Sequence, residues 1–306
     1  MRILVTGAAG FLGRALLRTM ASRAPDDEIT ALDVTANSSE AAAPGQFSWL
    51  SGAVDDREVM EKAGLQDFDI IYHLVSVPGA LAEREPALGR RVNLDATLDL
   101  FDRLAASGRR PRLIYASSVA VYGEMEGGPI SADSPTRPTS TYGAHKRMAE
   151  IALSDHSRRG GLSGIALRLP GLVARPGNAA GFGSAFMSEL PRAYAAGEPY
   201  VCPVSPDAAV WWMSAGCAAR NLVRAASIEL CGEVQLPALR LTVAEIVDAL
   251  SDLFGPDRRS LIAFSPDQRI EAMFGRYPEL ATAREEALGF AHDGTPIRLL
   301  KEALAS

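Results

Sequence analysis

The sequence predicts an α/β fold, a doubly wound parallel sheet with a smaller mixed C-terminal substrate lobe, and three observations predict it. Short apolar strands alternate with helical stretches over residues 1–170. A glycine-rich loop joins the first strand to the first helix. From residue 171 the alternation loosens into short helices punctuated by Pro and Gly. Strands alternating with helices imply parallel pairing through crossover helices, and such sheets bind ligands beyond the carboxyl ends of their strands.

The first element is Arg2-Ile3-Leu4-Val5-Thr6, apolar and β-branched, with the length of a buried parallel strand. Gly7-Ala8-Ala9-Gly10-Phe11-Leu12-Gly13 follows, and Arg14 to Met20 has helical character. Strand, glycine loop and helix make a dinucleotide site of the Rossmann type for three reasons. Glycine permits the tight turn, its missing side chain lets pyrophosphate approach the backbone, and the helix N-terminus offers unpaired N–H groups. Glu28 to Asp33 reads as a second strand ending in an acid, 20 residues past Gly13. A carboxylate there accepts hydrogen bonds from the adenosine ribose and repels a 2′-phosphate. No Arg or Lys stands at Val34, Thr35 or Ala36, so NAD is favoured over NADP.

Thr35 to Gln46 reads as a loop, Phe47 to Leu50 as a third strand, Asp55 to Ala63 as a short helix and Phe68 to Leu74 as a fourth strand. Glu85 to Ser107 is helical, with Leu94, Leu98, Phe101 and Ala105 spaced to face a core. Pro111 to Ala116 is a fifth strand with Ser117 and Ser118 at its carboxyl end. Gly123 to Ser140 is a long connection carrying Pro129, Pro135 and Pro138, and Thr139, Ser140 and Thr141 are candidate caps for a helix running to about Arg159. Ser163 to Leu169 is a sixth strand, ended by Pro170-Gly171. We therefore expect an NAD-binding domain over 1–170 and a substrate-binding lobe over 171–306, interleaved with the last sheet strands.

Composition bounds the rest. A chain of 306 residues with 47% hydrophobic and 22% charged residues suits a globular enzyme with a sizeable core. The net charge of −6 and the lack of a basic stretch argue against nucleic acid or an anionic membrane as partner. There is no run of 18 apolar residues and no leader-like segment, so we expect no membrane span and a cytoplasmic location. Cys202, Cys217 and Cys231 lack metal or disulfide spacing and read as free thiols, and the four histidines show no ligand spacing, so no metal is expected.

Tyr142 and Lys146 stand four residues apart in the helical stretch, which puts phenol and ammonium on one face. A nearby Lys⁺ favours phenolate, so a tyrosine with a reference pKa of about 10 can serve as a base nearer neutrality.

Taken together, Thr6-Gly7-x-x-Gly10-x-x-Gly13, Asp33, His73-Leu74, Asn93, Tyr115-Ala116-Ser117-Ser118-Val119-Ala120-Val121-Tyr122-Gly123 and Tyr142-x-x-x-Lys146 resemble the extended short-chain dehydrogenase/reductase family, which includes NAD-dependent epimerases and dehydratases. The resemblance implies that Tyr142 is the catalytic base, Lys146 lowers its pKa and holds the nicotinamide ribose, and Ser118 binds the reacting oxygen, with Ser117 the alternative for that serine. It implies cofactor contacts from Gly7, Gly10, Phe11, Leu12, Asp33, Val54, Leu74, Asn93, Tyr142, Lys146 and Pro170, Asn93 also stabilising the backbone near the site.

A finer likeness is carried by Ala166 to Pro170, Val173-x-Arg175-Pro176-Gly177, Val201 to Val204 and Trp211 to Ser214. It points to the family's sugar-acid dehydrogenases, which oxidise the 2-hydroxyl of a small aldonic acid. Substrate contacts are then expected from Ser76, Ser118, Tyr142 and Arg175, the arginine clamping a carboxylate. Arg168 is expected to be structural at a strand end. Trp211 and Trp212 read as lobe core, and Ser214 as a helix cap. One departure is Ala53, where the family often has an Asp near the adenine, which leaves Val54 backbone contacts for that ring. The alternative activity is a nucleotide-sugar epimerase or dehydratase. By the same resemblance the helices from Leu94 and from Tyr142 pair across a two-fold axis, giving a homodimer.

Overall fold

In a computed structural model, residues 1–22, 27–35, 47–125, 127–174 and 184–305 are described. In chain order the strands are β1 (Arg2–Thr6), β2 (Glu28–Asp33), β3 (Ser48–Ser51), β4 (Ile70–His73), β5 (Arg112–Ser118), β6 (Ser163–Leu169), β7 (Gly171–Leu172), β8 (Tyr200–Cys202), β9 (Ala209–Met213), β10 (Gly232–Gln235), β11 (Leu239–Thr242) and β12 (Ile262–Phe264). The helices used below are α1 (Phe11–Ala21), α2 (Arg57–Ala63), α3 (Gly79–Arg84), α4 (Pro86–Arg90), α5 (Ala96–Ala106), α6 (Thr141–Arg158), α7 (Phe186–Ala196) and α8 (Ala215–Ala226). The chain divides into two compact units that are each discontinuous in sequence: Met1–Gly123 with Pro135–Leu169 and Ala219–Gln235, and Glu124–Ser134 with Pro170–Ala218 and Leu236–Ser306.

The first unit holds a seven-stranded sheet of order β10-β6-β5-β4-β1-β2-β3 with every neighbouring pair parallel. Helices on both faces explain why its central strands are almost wholly apolar: four of five β1 residues and all four of β4 are buried. Leu4, Leu32, Ile71, Phe101, Leu104 and Leu113 form its core. Strand order reverses between β1 and β4, so the segments that follow these two strands splay apart and leave the crevice in which open α/β sheets bind ligands.

The second unit contains a mixed three-stranded sheet, β11-β9-β7, and a parallel β12-β8 pair. Trp212, Phe186 and Tyr194 lie in its core, and Trp211 is fully buried with its indole N–H donated to the Pro278 carbonyl at 2.7 Å. Ser214 caps α8: its hydroxyl accepts from Cys217 N at 3.0 Å and donates to Asp293 at 2.5 Å.

The differences from the sequence reading have local causes. The first helix starts at Phe11, not Arg14, because Gly10 serves as its N-cap and the glycine loop supplies its first turn. The β5 strand runs on through Ser118, since pairing with β6 continues to Ser118 opposite Leu169. The helix expected over 85–107 contains a π-helical turn at Arg91–Asp95, and α3 stands before it with Pro78 as its N-cap. The predicted helix over 55–63 begins at Arg57, where Asp56 accepts from the Glu58 and Val59 amides.

Candidate active site

The glycine loop is built by packing as much as by flexibility. Gly7 has φ +73°, and a Cβ there would meet Val75 N at 2.9 Å, where the chain leaves β4. At Gly13 a Cβ would lie 2.2 Å from the Gly7 carbonyl oxygen, so this glycine lets α1 sit directly on the loop. Gly10 differs: a Cβ there would meet only the Gly7 oxygen, at 3.1 Å, which leaves its outer side open. No side chain caps α1, and the Phe11 and Leu12 amides have no partner among the described residues. Open backbone beside an uncapped helix N-terminus fits a pyrophosphate.

Asp33, at the end of β2, is fixed by two backbone donors: Oδ2 accepts from Ala9 N and Oδ1 from Thr35 N, both at 3.0 Å. Each oxygen keeps a lone pair for a ribose hydroxyl. Val54 is buried in the turn before α2, and Leu74 N donates to the Thr6 carbonyl at 3.1 Å. Together these residues fit NAD, which supplies a hydride acceptor when bound.

Asn93 lies in the π-helical turn, a feature frequent at functional sites. Its Oδ1 accepts from Val77 N at 2.7 Å and from Ser76 Oγ at 3.2 Å, while its Nδ2 donates to the Val77 carbonyl at 2.9 Å. The amide is thus committed to bracing the 76–77 backbone, and the Ser76 hydroxyl is drawn toward it. His73, just before, is fully buried between Thr6 Oγ1 at 2.8 Å and Thr97 Oγ1 at 3.0 Å. Burial, with the Lys146 charge adding to it, pulls its pKa down to about 3, so the ring is neutral.

The two serines of β5 separate cleanly. Ser117 Oγ is buried and donates to Glu150 Oε1 at 2.6 Å. Ser118 is half-buried; its Oγ accepts from Ala120 N at 3.2 Å, and no acceptor for its proton is present among the described residues. Of the pair, only Ser118 has a hydroxyl hydrogen to give to a ligand.

Opposite them stands the start of α6. Ser140 Oγ accepts from Gly143 N at 3.1 Å, and the Glu83 carboxylate, from α3, accepts from Thr141 N at 2.5 Å and Thr141 Oγ1 at 3.1 Å. A Cβ on Gly143 would lie 2.3 Å from the Ala120 carbonyl oxygen, so only glycine lets this helix press against the turn after Ser118. Tyr142 is thereby brought to the same edge as Ser118. Lys146, one turn on, is buried; its Nζ donates to the Ala116 carbonyl at 2.8 Å and lies 4.8 Å from the Tyr115 ring centroid and 5.6 Å from that of Tyr142. Burial brings its pKa down to about 7, against the opposing pull of Glu150.

The sequence-derived set therefore divides. Gly7, Gly10, Phe11, Leu12, Asp33, Val54, Leu74, Ser76, Asn93, Ser118, Tyr142 and Lys146 all belong to the first unit. Pro170 follows β6 directly, and Arg175 lies outside the described residues. Sequence reasoning missed Gly143, Glu83 and Glu150. Glu150 carried a signal, standing four residues past Lys146 on the same helical face.

Comparison with known proteins agrees with this geometry. Residues 3–225 match the profile described as the NAD dependent epimerase/dehydratase family. The chain is similar to a D-erythronate dehydrogenase of Cupriavidus necator, 34% identical over 96% of this chain and 95% of that one. A second D-erythronate dehydrogenase, from Haemophilus influenzae, is 28% identical over 96% of this chain and 95% of its own. Among solved structures, a nucleoside-diphosphate-sugar epimerase from Agrobacterium tumefaciens superposes with a TM-score of 0.88 at 30% identity, covering 98% of this chain and 92% of that one. With its glycine loop, Asp33 and the Tyr142 and Lys146 pair in place, the chain belongs to the NAD dependent epimerase/dehydratase family and is an NAD-dependent enzyme of the extended short-chain dehydrogenase/reductase type.

Proposed function

We propose that the chain is a dehydrogenase that oxidises the 2-hydroxyl of D-erythronate, or of a closely similar small sugar acid, with NAD. The observation that carries this reading is the likeness to a D-erythronate dehydrogenase along 96% of the chain, beyond the cofactor-binding half that all such enzymes share. Tyr142, with Lys146 beside it, takes the proton from the substrate hydroxyl as the adjacent C–H bond gives its hydride to the cofactor, leaving a ketone. Ser118 donates to the substrate oxygen, whose charge grows as that proton leaves. Lys146 favours the phenolate while it carries charge, and the Ala116 carbonyl keeps it in place.

In this reading residues 1–170 hold the cofactor and 171–306 the substrate, with Arg175 and Ser76 as carboxylate and hydroxyl contacts. The protein acts as a homodimer in the cytoplasm. Met148 and Ile151, exposed on α6, support self-association, and three free thiols suit a reducing compartment. No helix of the described residues is long and apolar enough to cross a membrane. Light scattering of the purified chain tests the dimer.

The test of function is a screen for NADH formation over small aldonates, uronates and 2-hydroxy acids. Turnover of a four-carbon aldonate is expected, and absence of NADH with every acid overturns the reading. A nucleotide-sugar epimerase is the second reading, favoured by the likeness to the Agrobacterium tumefaciens structure. It predicts NAD retained through gel filtration and no net NADH.

A further inference from the structure

Along α6, Tyr142, Lys146 and Glu150 recur every four residues and share one face. Glu150 has no part in the chemistry above, yet it is completely buried and fully engaged. Its Oε1 accepts from Ser117 Oγ at 2.6 Å and Arg168 Nε at 3.0 Å; its Oε2 accepts from Arg168 Nη2 at 3.0 Å and Arg147 Nη1 at 2.9 Å. Arg168 is itself buried and also donates to Tyr122 Oη at 3.1 Å. A buried Arg–carboxylate fork is weak evidence for stability, because well-packed apolar residues often serve that end equally well. Its location has to account for it.

Two features of that location do so. Ser117 and Arg168 are direct partners in the parallel β5–β6 register, so Glu150 grips both strands from the helix that covers them. The gripped residue lies between Ala116, whose carbonyl receives the Lys146 ammonium, and Ser118, whose hydroxyl faces the substrate in the proposed chemistry. The second feature is charge. The titratable groups that face Lys146 are Tyr142 and Glu150 on α6, Tyr115 on β5 and His73 on β4. His73 is neutral, and Glu150 is the one carboxylate of that set, placed also against the Arg168 and Arg147 guanidiniums that pair with it.

We propose that Glu150 is a positioning residue for the Ser–Tyr–Lys centre: its carboxylate is a counter-charge that favours the ammonium form of Lys146, and through Ser117 it clamps the strand end that presents Ser118. The catalytic consequence rests on the dehydrogenase reading; the charge role does not.

The chain has only three lysines, Lys62, Lys146 and Lys301, so the Lys146 side chain can be titrated by NMR with isotope-labelled lysine and identified by its loss in Lys146→Arg. In Glu150→Gln its midpoint is expected to fall by about one unit or more, and an unchanged midpoint overturns the counter-charge. Glu150→Asp keeps the charge and shortens the reach, so it should retain most of the Lys146 titration while kcat falls; a midpoint as low as in the Gln variant contradicts the assignment. Ser117→Ala leaves the ion pair intact and is expected to lower kcat about tenfold or more, with KM and thermal midpoint near wild type. A kcat within about twofold of wild type overturns the clamp. Should the wild-type chain reduce NAD with none of the acids, the proposed function fails, and the titration still decides this inference.

Discussion

The Lys146 ammonium lies 5.6 Å from the centroid of the Tyr142 ring, one turn further along the same helix. The same nitrogen is tied to the Ala116 carbonyl on the neighbouring strand, so the helix face and the strand end that carries Ser118 are held in one frame. A phenol that must accept a proton gains most from a cation that cannot drift, because a fixed dipole or charge needs no reorganisation as the reaction proceeds.

Burial of Lys146 makes stability depend on pH in a defined direction. Burial holds its pKa at about 7 in the fold, below the ordinary lysine value of 10.5. Between these values the unfolded chain binds more protons than the folded one, so this group's contribution to stability rises with pH across that window. Lys146→Met, free of cofactor, is therefore expected to be more stable than wild type at pH values below about 7, with the advantage shrinking toward pH 10.5. Thermal or urea unfolding over this range checks it, and a constant difference contradicts it.

Gly143→Ala should separate chemistry from cofactor binding. The added Cβ would stand 2.3 Å from the Ala120 carbonyl, which forces α6 away from the turn after Ser118. The glycine loop and Asp33 belong to other elements and carry most of the expected cofactor contacts, so NAD binding should change far less than turnover. A fall in kcat of about 100-fold is expected, since displacements of an ångström cost that much; calorimetric NAD affinity should stay within about threefold.

Asp33→Ser should relax cofactor choice. The carboxylate is fixed by the Ala9 and Thr35 amides, where its charge opposes a 2′-phosphate. The NAD over NADP ratio of kcat/KM is expected to drop at least about tenfold, through weaker NAD and better NADP use. Preservation of the ratio would mean that another residue sets it.

Much of this was legible in the sequence wherever local pattern and tertiary role coincide. The bounds of β1, β2 and β6 follow from apolar runs bordered by Gly, Asp or Pro, since strands buried on both faces leave no other pattern. The α3 helix received no reading from the sequence, because six residues are too few to show a helical period; Pro78 stands at its N-cap, where a missing N–H costs nothing. Ser118 was preferred over Ser117 on resemblance alone, and the hydrogen bonds support that preference: one hydroxyl is taken by Glu150 and the other is not. Gly143 was invisible, because its requirement comes from a carbonyl 23 residues earlier in the chain (Ala120). Arg168 read as structural and is so placed, but its partner Glu150 required three-dimensional contact to be seen.

The most direct measurement is NADH formation from D-erythronate by wild type and by Tyr142→Phe, with NAD affinity measured on both. Wild type is expected to produce NADH steadily, and the Phe variant, which lacks the proton acceptor but keeps the ring over Lys146, to lose at least about 1000-fold in kcat while binding NAD as before. Comparable turnover by the two proteins would contradict Tyr142 as the base, and no NADH from wild type with D-erythronate or any related sugar acid would contradict the dehydrogenase itself.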